Sequence, residues 1–151
     1  MTLNTMLVQL STGMMKSVGI FCWTLIFSLP LGLLVSFGRM SKNPVIRFLF
    51  KIYISIMRGT PLMLQLLVVF YGPYYLFGMS IGGAYRYIAI LIGFSVNYAA
   101  YFAEIYRSGI ESMPAGQYEA ARILGYNKVQ TFGKIILPQV IKRILPAVTN
   151  E

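Results

Sequence analysis

The stretch Glu119 to Pro138, EAARILGYNKVQTFGKIILP, concentrates residues whose types and spacing can do chemistry in this 151-residue chain. Those types suit close contact with a partner, either nucleic acid or protein. Glu119 supplies a single carboxylate, Ala120 and Ala121 a face small enough for another backbone or a groove to approach, and Gly125 a residue able to turn left-handed at a helix end. A helix over Gln117–Leu124 would hold Glu119 in its first turn, where negative charge suits the helix dipole. Asn127 and Gln130 have capping-box spacing and open a second helix, expected to run to about Leu137 before Pro138 limits or kinks it. The predicted unit is a short helix, a tight turn and a second helix.

Other chemistries are poorly served. The chain has no histidine and one cysteine, Cys22. An internal disulfide and the usual Cys/His zinc sites are therefore excluded, and no nucleophile–base–orienter set can be built on histidine. Cys22 sits among apolar residues and is expected to be a small buried hydrophobe. No GxxxxGK[ST] phosphate loop occurs, so ATP is not expected to bind this chain in that way. Three polar residues fall in or near apolar runs: Gln65, Asn97 and Tyr98. Polar groups there serve a transport path or act as helix–helix hydrogen bonds and interface anchors. Glu104 and Arg107 have the spacing of a local helix pair. Arg58 is expected to meet headgroups or an acidic neighbour.

The elements that must position these residues are long and oily. Apolar residues make up 57% of the chain and charged residues 11%, against about 25% charged in soluble domains. A bilayer is the solvent such a composition fits. Three uncharged runs are the predicted spans: 18–37, 60–76 and 87–103. Pro30 and Gly32 stand inside the first, which is too long for a typical signal core and lacks a basic leader in Met1 to Met15. Between the first two runs lie Arg39, Lys42, Arg47, Lys51 and Arg58, with no acid among them. Arg47, Lys51 and Arg58 share one side of a helix expected to lie at, or enter obliquely, the membrane interface. Gly72, Pro73, Gly78, Gly82 and Gly83 mark a turn region, and Tyr71, Tyr74, Tyr75, Tyr85 and Tyr87 fit an interfacial belt.

Charge position then accounts for the formal net charge of +9. The first connection carries five cations, the second only Arg86, and the third Arg107, Arg122, Lys128, Lys134, Lys142 and Arg143. The positive-inside rule puts the first and third connections in the cytoplasm and the N-terminus outside. Nucleic acid is not needed to explain the basicity.

Two readings of the helix–turn–helix unit remain. As a DNA reader, its second helix offers Lys128, Gln130, Thr131 and Lys134, an ordinary solvated face joined directly to a membrane span. As a docking element its spacing is specific. Glu119-Ala120-Ala121, three residues, Gly125, nine residues, then Ile135-x-Leu137-Pro138 resembles the EAA motif of ABC-importer permeases. MRGTPLMLQL (Met57 to Leu66), AYFAEIYRSGIESMPAGQYEAARILG (Ala100 to Gly125) and ILPQVIKRILPAVTNE (Ile136 to Glu151) resemble the polar amino-acid uptake permeases of the histidine/glutamine type. The resemblance covers most of the chain from about Ser17.

It implies an all-α integral membrane protein like the type I ABC-importer transmembrane domain, 1–151 forming a single partial domain with a coupling helix and turn at 117–125. It implies a transport subunit of a bacterial inner-membrane importer, not an enzyme. Members work with a cytoplasmic ATPase that holds ATP and Mg, a second permease subunit, the same or different, and an extracytoplasmic amino-acid-binding protein. By that likeness Glu119, Ala120, Ala121 and Gly125 couple to the ATPase. The family pattern runs on past TNE, usually for two more spans, so a C-terminally truncated domain is expected. The alternatives are a remnant that only binds the ATPase and, remotely, a membrane-tethered DNA-binding protein.

Overall fold

The computed structural model describes residues 3–79 and 82–151, apart from the side chain of Ala84. Part of the expected turn region, Ser80 and Ile81, lies outside the described residues. The rest is helical: α1 (Leu3–Arg39), α2 (Pro44–Gly59), α3 (Leu62–Phe77), α4 (Gly83–Glu111), α5 (Ala115–Ile123), α6 (Lys128–Gln130), a π-helical stretch (Thr131–Ile136) and α7 (Leu137–Asn150).

Helices α1 and α4 are each long and apolar enough to cross a membrane. The first begins well before the predicted span and runs through Pro30 without a break. The hydroxyls of Ser11, Thr12 and Ser17 fold back onto carbonyls three or four residues earlier, so early polar residues do not interrupt it. The second predicted span coincides with α3, whose 16 residues reach only about 24 Å at 1.5 Å per residue, against about 30 Å of hydrocarbon. Taken together with α2 it is long enough, but the pair is bent by 108°. Thr60-Pro61 makes the break: both residues are extended, and proline disfavours helix in the residue before it.

Helix α4 is the centre of the fold, and α1, α2, α3 and α7 all pack against it. Why α1 can approach it so closely is written at every fourth position: Thr24, Ser28, Gly32 and Ser36 are its buried residues. A Cβ on Gly32 would lie 2.8 Å from Phe102 Cβ and 3.1 Å from the Ala99 carbonyl oxygen. Small residues at four-residue spacing are what lipid-embedded helices use to bring backbones together. Cys22, expected inside, is exposed. Two residues before Thr24 is about 200° around a helix, so Cys22 points away from that seam. Phe21, Trp23, Ile26 and Leu34 are exposed as well, leaving an apolar outer surface suited to hydrocarbon. The hydroxyls of Thr24, Ser28 and Ser95 are buried without a hydrogen-bond partner.

Helix α2 rests Ile54 against Ala100 and Ala103, and the Tyr53 hydroxyl donates to the Val96 carbonyl. Tyr85 donates to Val69 at 2.8 Å, tying α4 to α3. At the other end the chain folds back, and Ile110, Ile136, Val140 and Ile144 form a buried cluster between α4, the π stretch and α7. The second helix of the helix–turn–helix unit does not stop near Leu137. Pro138 stands in the first turn of α7, and the helical path continues to Asn150. The irregularity lies upstream instead, where Leu137 N–H donates to the Phe132 carbonyl five residues back. A π turn of this kind absorbs the hydrogen bond that proline cannot make.

Candidate functional site

Pro114 caps α5 and starts it at Ala115, two residues before the predicted start. Glu119 therefore stands in the second turn and not the first, so the expected dipole contact at the helix start is not made. Adjacent residues lie about 100° apart around a helix, which splits the alanine pair. Ala121 is 1% exposed and faces inward, whereas Glu119 and Ala120 face out. Glu119 has no ion-pair partner among the described residues.

The turn that follows has the expected geometry. Gly125 takes φ +80°, a left-handed conformation open to glycine. Its N–H donates to Arg122 at 3.0 Å, and Tyr126 N–H donates to Ala121 at 3.0 Å. Asn127 accepts from Gln130 N–H at 2.9 Å while the Gln130 side chain accepts from Asn127 N–H at 3.1 Å, a complete capping box. Gln139 of α7 donates to Gln117 of α5 at 3.2 Å, joining the helix to the fold-back behind it.

Around this turn stand three large apolar side chains that the sequence reading passed over: Ile123 at 86% exposed, Leu124 at 72% and Val129 at 82%. Their signal was present, since apolar residues flank Gly125 where a turn should be polar. They sit among Glu119, Arg122 and Lys128, a mixture suited to a protein partner rather than to hydrocarbon.

The three polar residues of the apolar runs divide into two places. Asn97, buried on α4, donates its amide to Gln65 Oε1 at 2.9 Å and to the Met57 carbonyl at 3.1 Å. Gln65 Nε2 lies 3.0 Å from the same carbonyl, 3.1 Å from Thr60 O and 2.8 Å from Thr60 Oγ1. These bonds satisfy carbonyls orphaned where α2 ends and the chain turns into α3. Tyr98 points elsewhere, because one residue is 100° of helix. It stacks on Phe94 with ring centroids 6.1 Å apart and lines a cavity of about 730 Å³ with Thr24, Leu66 and Phe102.

The Glu104–Arg107 pair forms, and Arg107 also reaches Glu111, a partner at the next helical spacing that the sequence reading left out. Arg107 Nε lies 3.1 Å from both Glu104 oxygens. Arg58 lies over the Tyr101 ring, 5.2 Å from its centroid.

Residues 28–151 match the family described as binding-protein-dependent transport system inner membrane component. The chain is 43% identical over 139 residues to the "Probable amino-acid ABC transporter permease protein YckA" of Bacillus subtilis, covering 92% of this chain and 58% of that protein. It is 35% identical over 141 residues to the L-cystine transport system permease protein TcyB of the same organism, covering 93% of this chain and 58% of that one. It thus spans little more than half the length of these relatives. Its fold matches a crystal structure of an amino acid ABC transporter with histidines, with a TM-score of 0.79 at 33% identity, covering 99% of this chain and 71% of that one.

Proposed function

Because the chain belongs to the family of binding-protein-dependent transport system inner membrane components, we propose that it acts as the permease subunit of an importer carrying a polar amino acid across the bacterial inner membrane. The observation that carries the reading is the exposed face around Gly125. Glu119, whose carboxylate has no ion-pair partner among the described residues, stands with exposed Ile123, Leu124 and Val129 around a turn set by Gly125. Apolar groups displayed there favour a protein groove, and a separate ATPase, holding ATP and Mg, is the partner we assign to it. The charge pattern of the connections supports a cytoplasmic position for this face and an outside N-terminus.

In this mechanism closure of the ATPase moves α5. The Gln117–Gln139 bond and the Ile110–Ile136–Val140–Ile144 cluster pass that movement to α7 and α4, which shift as rigid bodies. The amino acid arrives from an extracytoplasmic binding protein and passes between this subunit and a second permease subunit. Tyr98, in its cavity, and the Gln65–Asn97 amides are the polar groups we assign to the path.

Copurification from native membranes tests the proposal. An ATPase together with a second permease is the expected result. An ATPase alone would reduce the chain to a docking remnant, and retained DNA would overturn the reading.

A further inference from the structure

The ends of α1 and α2 and the flank of α4 border an open hollow of about 370 Å³ whose lining includes Arg39, Lys51, Ser55, Arg58, Gly59 and Glu104. Three cations meet there, and the one carboxylate present is already taken: both Glu104 oxygens accept from Arg107, which also holds Glu111. No ion pair joins Arg39, Lys51 or Arg58 to a carboxylate among the described residues. Four cations thus face two carboxylates. Arg39 and Arg58 stand in the last turns of their helices, whose C-termini each offset about half a charge. What remains is about one positive charge, as much as a phosphodiester balances.

From this we propose that the hollow holds the phosphodiester headgroup of an anionic membrane lipid. A lipid fits better than a free anion because the apolar side of α2 adjoins the cations. Phe48, Ile52 and Ile56 stand exposed on the neighbouring flank, where acyl chains would lie. Basic pockets between membrane helices are a recurrent way of holding acidic headgroups. The site is independent of what the importer carries, so it stands or falls apart from the proposed function.

Native mass spectrometry of the full chain, released from phosphatidylcholine vesicles with or without phosphatidylglycerol, tests it. The chain should retain phosphatidylglycerol over phosphatidylcholine. Lys51→Gln and Arg58→Gln should each lower that retention about fivefold, the worth of one cation near such a lipid. Arg58→Lys, which keeps the charge, should preserve retention, as should Arg86→Gln, whose cation lies over Phe70 and not in the hollow. Equal retention by the Lys51→Gln and Arg58→Gln variants would overturn the proposal. So would a wild-type chain with no preference for phosphatidylglycerol. Inorganic phosphate that displaces the bound phosphatidylglycerol at millimolar concentration would mark a soluble-anion site and overturn it as well.

Discussion

Asn97 of α4 donates its amide to Gln65 of α3 at 2.9 Å, and both amides reach the Met57 carbonyl at the end of α2. Three helices thus share one carbonyl at the 108° bend. The groups most easily taken for substrate ligands are also those that hold the scaffold at its break.

A double-mutant cycle on Asn97→Ala and Gln65→Ala should therefore give a coupling of about 1 kcal/mol in detergent unfolding, within the range for hydrogen bonds between membrane helices. Uptake assays on the same variants separate the two roles. Asn97→Ala with unchanged substrate affinity and uptake would remove Asn97 from the transport path.

Gly32→Leu should destabilise the fold by about 1–3 kcal/mol, because its side chain has no space against Phe102 and the Ala99 carbonyl. Gly19 of the same helix has nothing within 4 Å of an added Cβ. Gly19→Leu should leave the melting temperature unchanged, and equal losses in both variants would mean that the α1–α4 seam is not close-packed at Gly32.

Glu119→Lys and Ala121→Leu should both impair coupled uptake, for different reasons. Glu119 is exposed, so its reversal should shift stability by no more than about 0.5 kcal/mol while lowering uptake per ATP hydrolysed. Ala121 is buried, so the larger side chain should also lower the melting temperature by overpacking behind α5. Full coupled transport in reconstituted vesicles by Glu119→Lys would remove that carboxylate from the coupling face.

Replacing Ile123 and Val129 together by serine should leave folding intact, since both are exposed. ATPase binding should weaken about tenfold or more, the equivalent of losing roughly 1.4 kcal/mol of apolar burial. Titration of the ATPase against the detergent-solubilised chain measures this directly.

Gly125→Val should cost about 1–2 kcal/mol, because a β-branched residue is forced to φ near +80°. Gly125→Asn should cost less, as asparagine tolerates that region. Faster hydrogen exchange at Tyr126 N–H, which closes the turn onto Ala121, would report the loss locally.

Much of this arrangement is readable in the residues because it depends on local chemistry. Long uncharged runs mark α1 and α4, and Asn127, Gln130 and Gly125 announce a cap and a turn through side chains acting within a few positions. What resisted reading depends on partners distant in sequence. Gly59-Thr60-Pro61 signals a break between α2 and α3 but not its angle, which the Asn97 amide, far along the chain, helps to hold. The buried set of α1 is four small residues in an oily run, where hydrophobicity gives no clue to which side faces protein. For that reason Cys22 was expected inside. Glu119 falls outside the expected first turn because Pro114 and Gly116, which read as a break in the preceding helix, stand at the cap and in the first turn of the new one. The exposed Ile123 and Val129 resemble core residues until the turn is built.

The four-residue seam of α1 has a consequence for how such a chain can drift. Of its 37 residues only Thr24, Ser28, Gly32 and Ser36 are buried, so inheritance polices a single narrow file along the helix. A saturation library selected for folding should return a comb: four sites confined to the smallest side chains, separated by triplets that accept varied oily residues, more narrowly at half-buried Leu25, Leu29 and Val35.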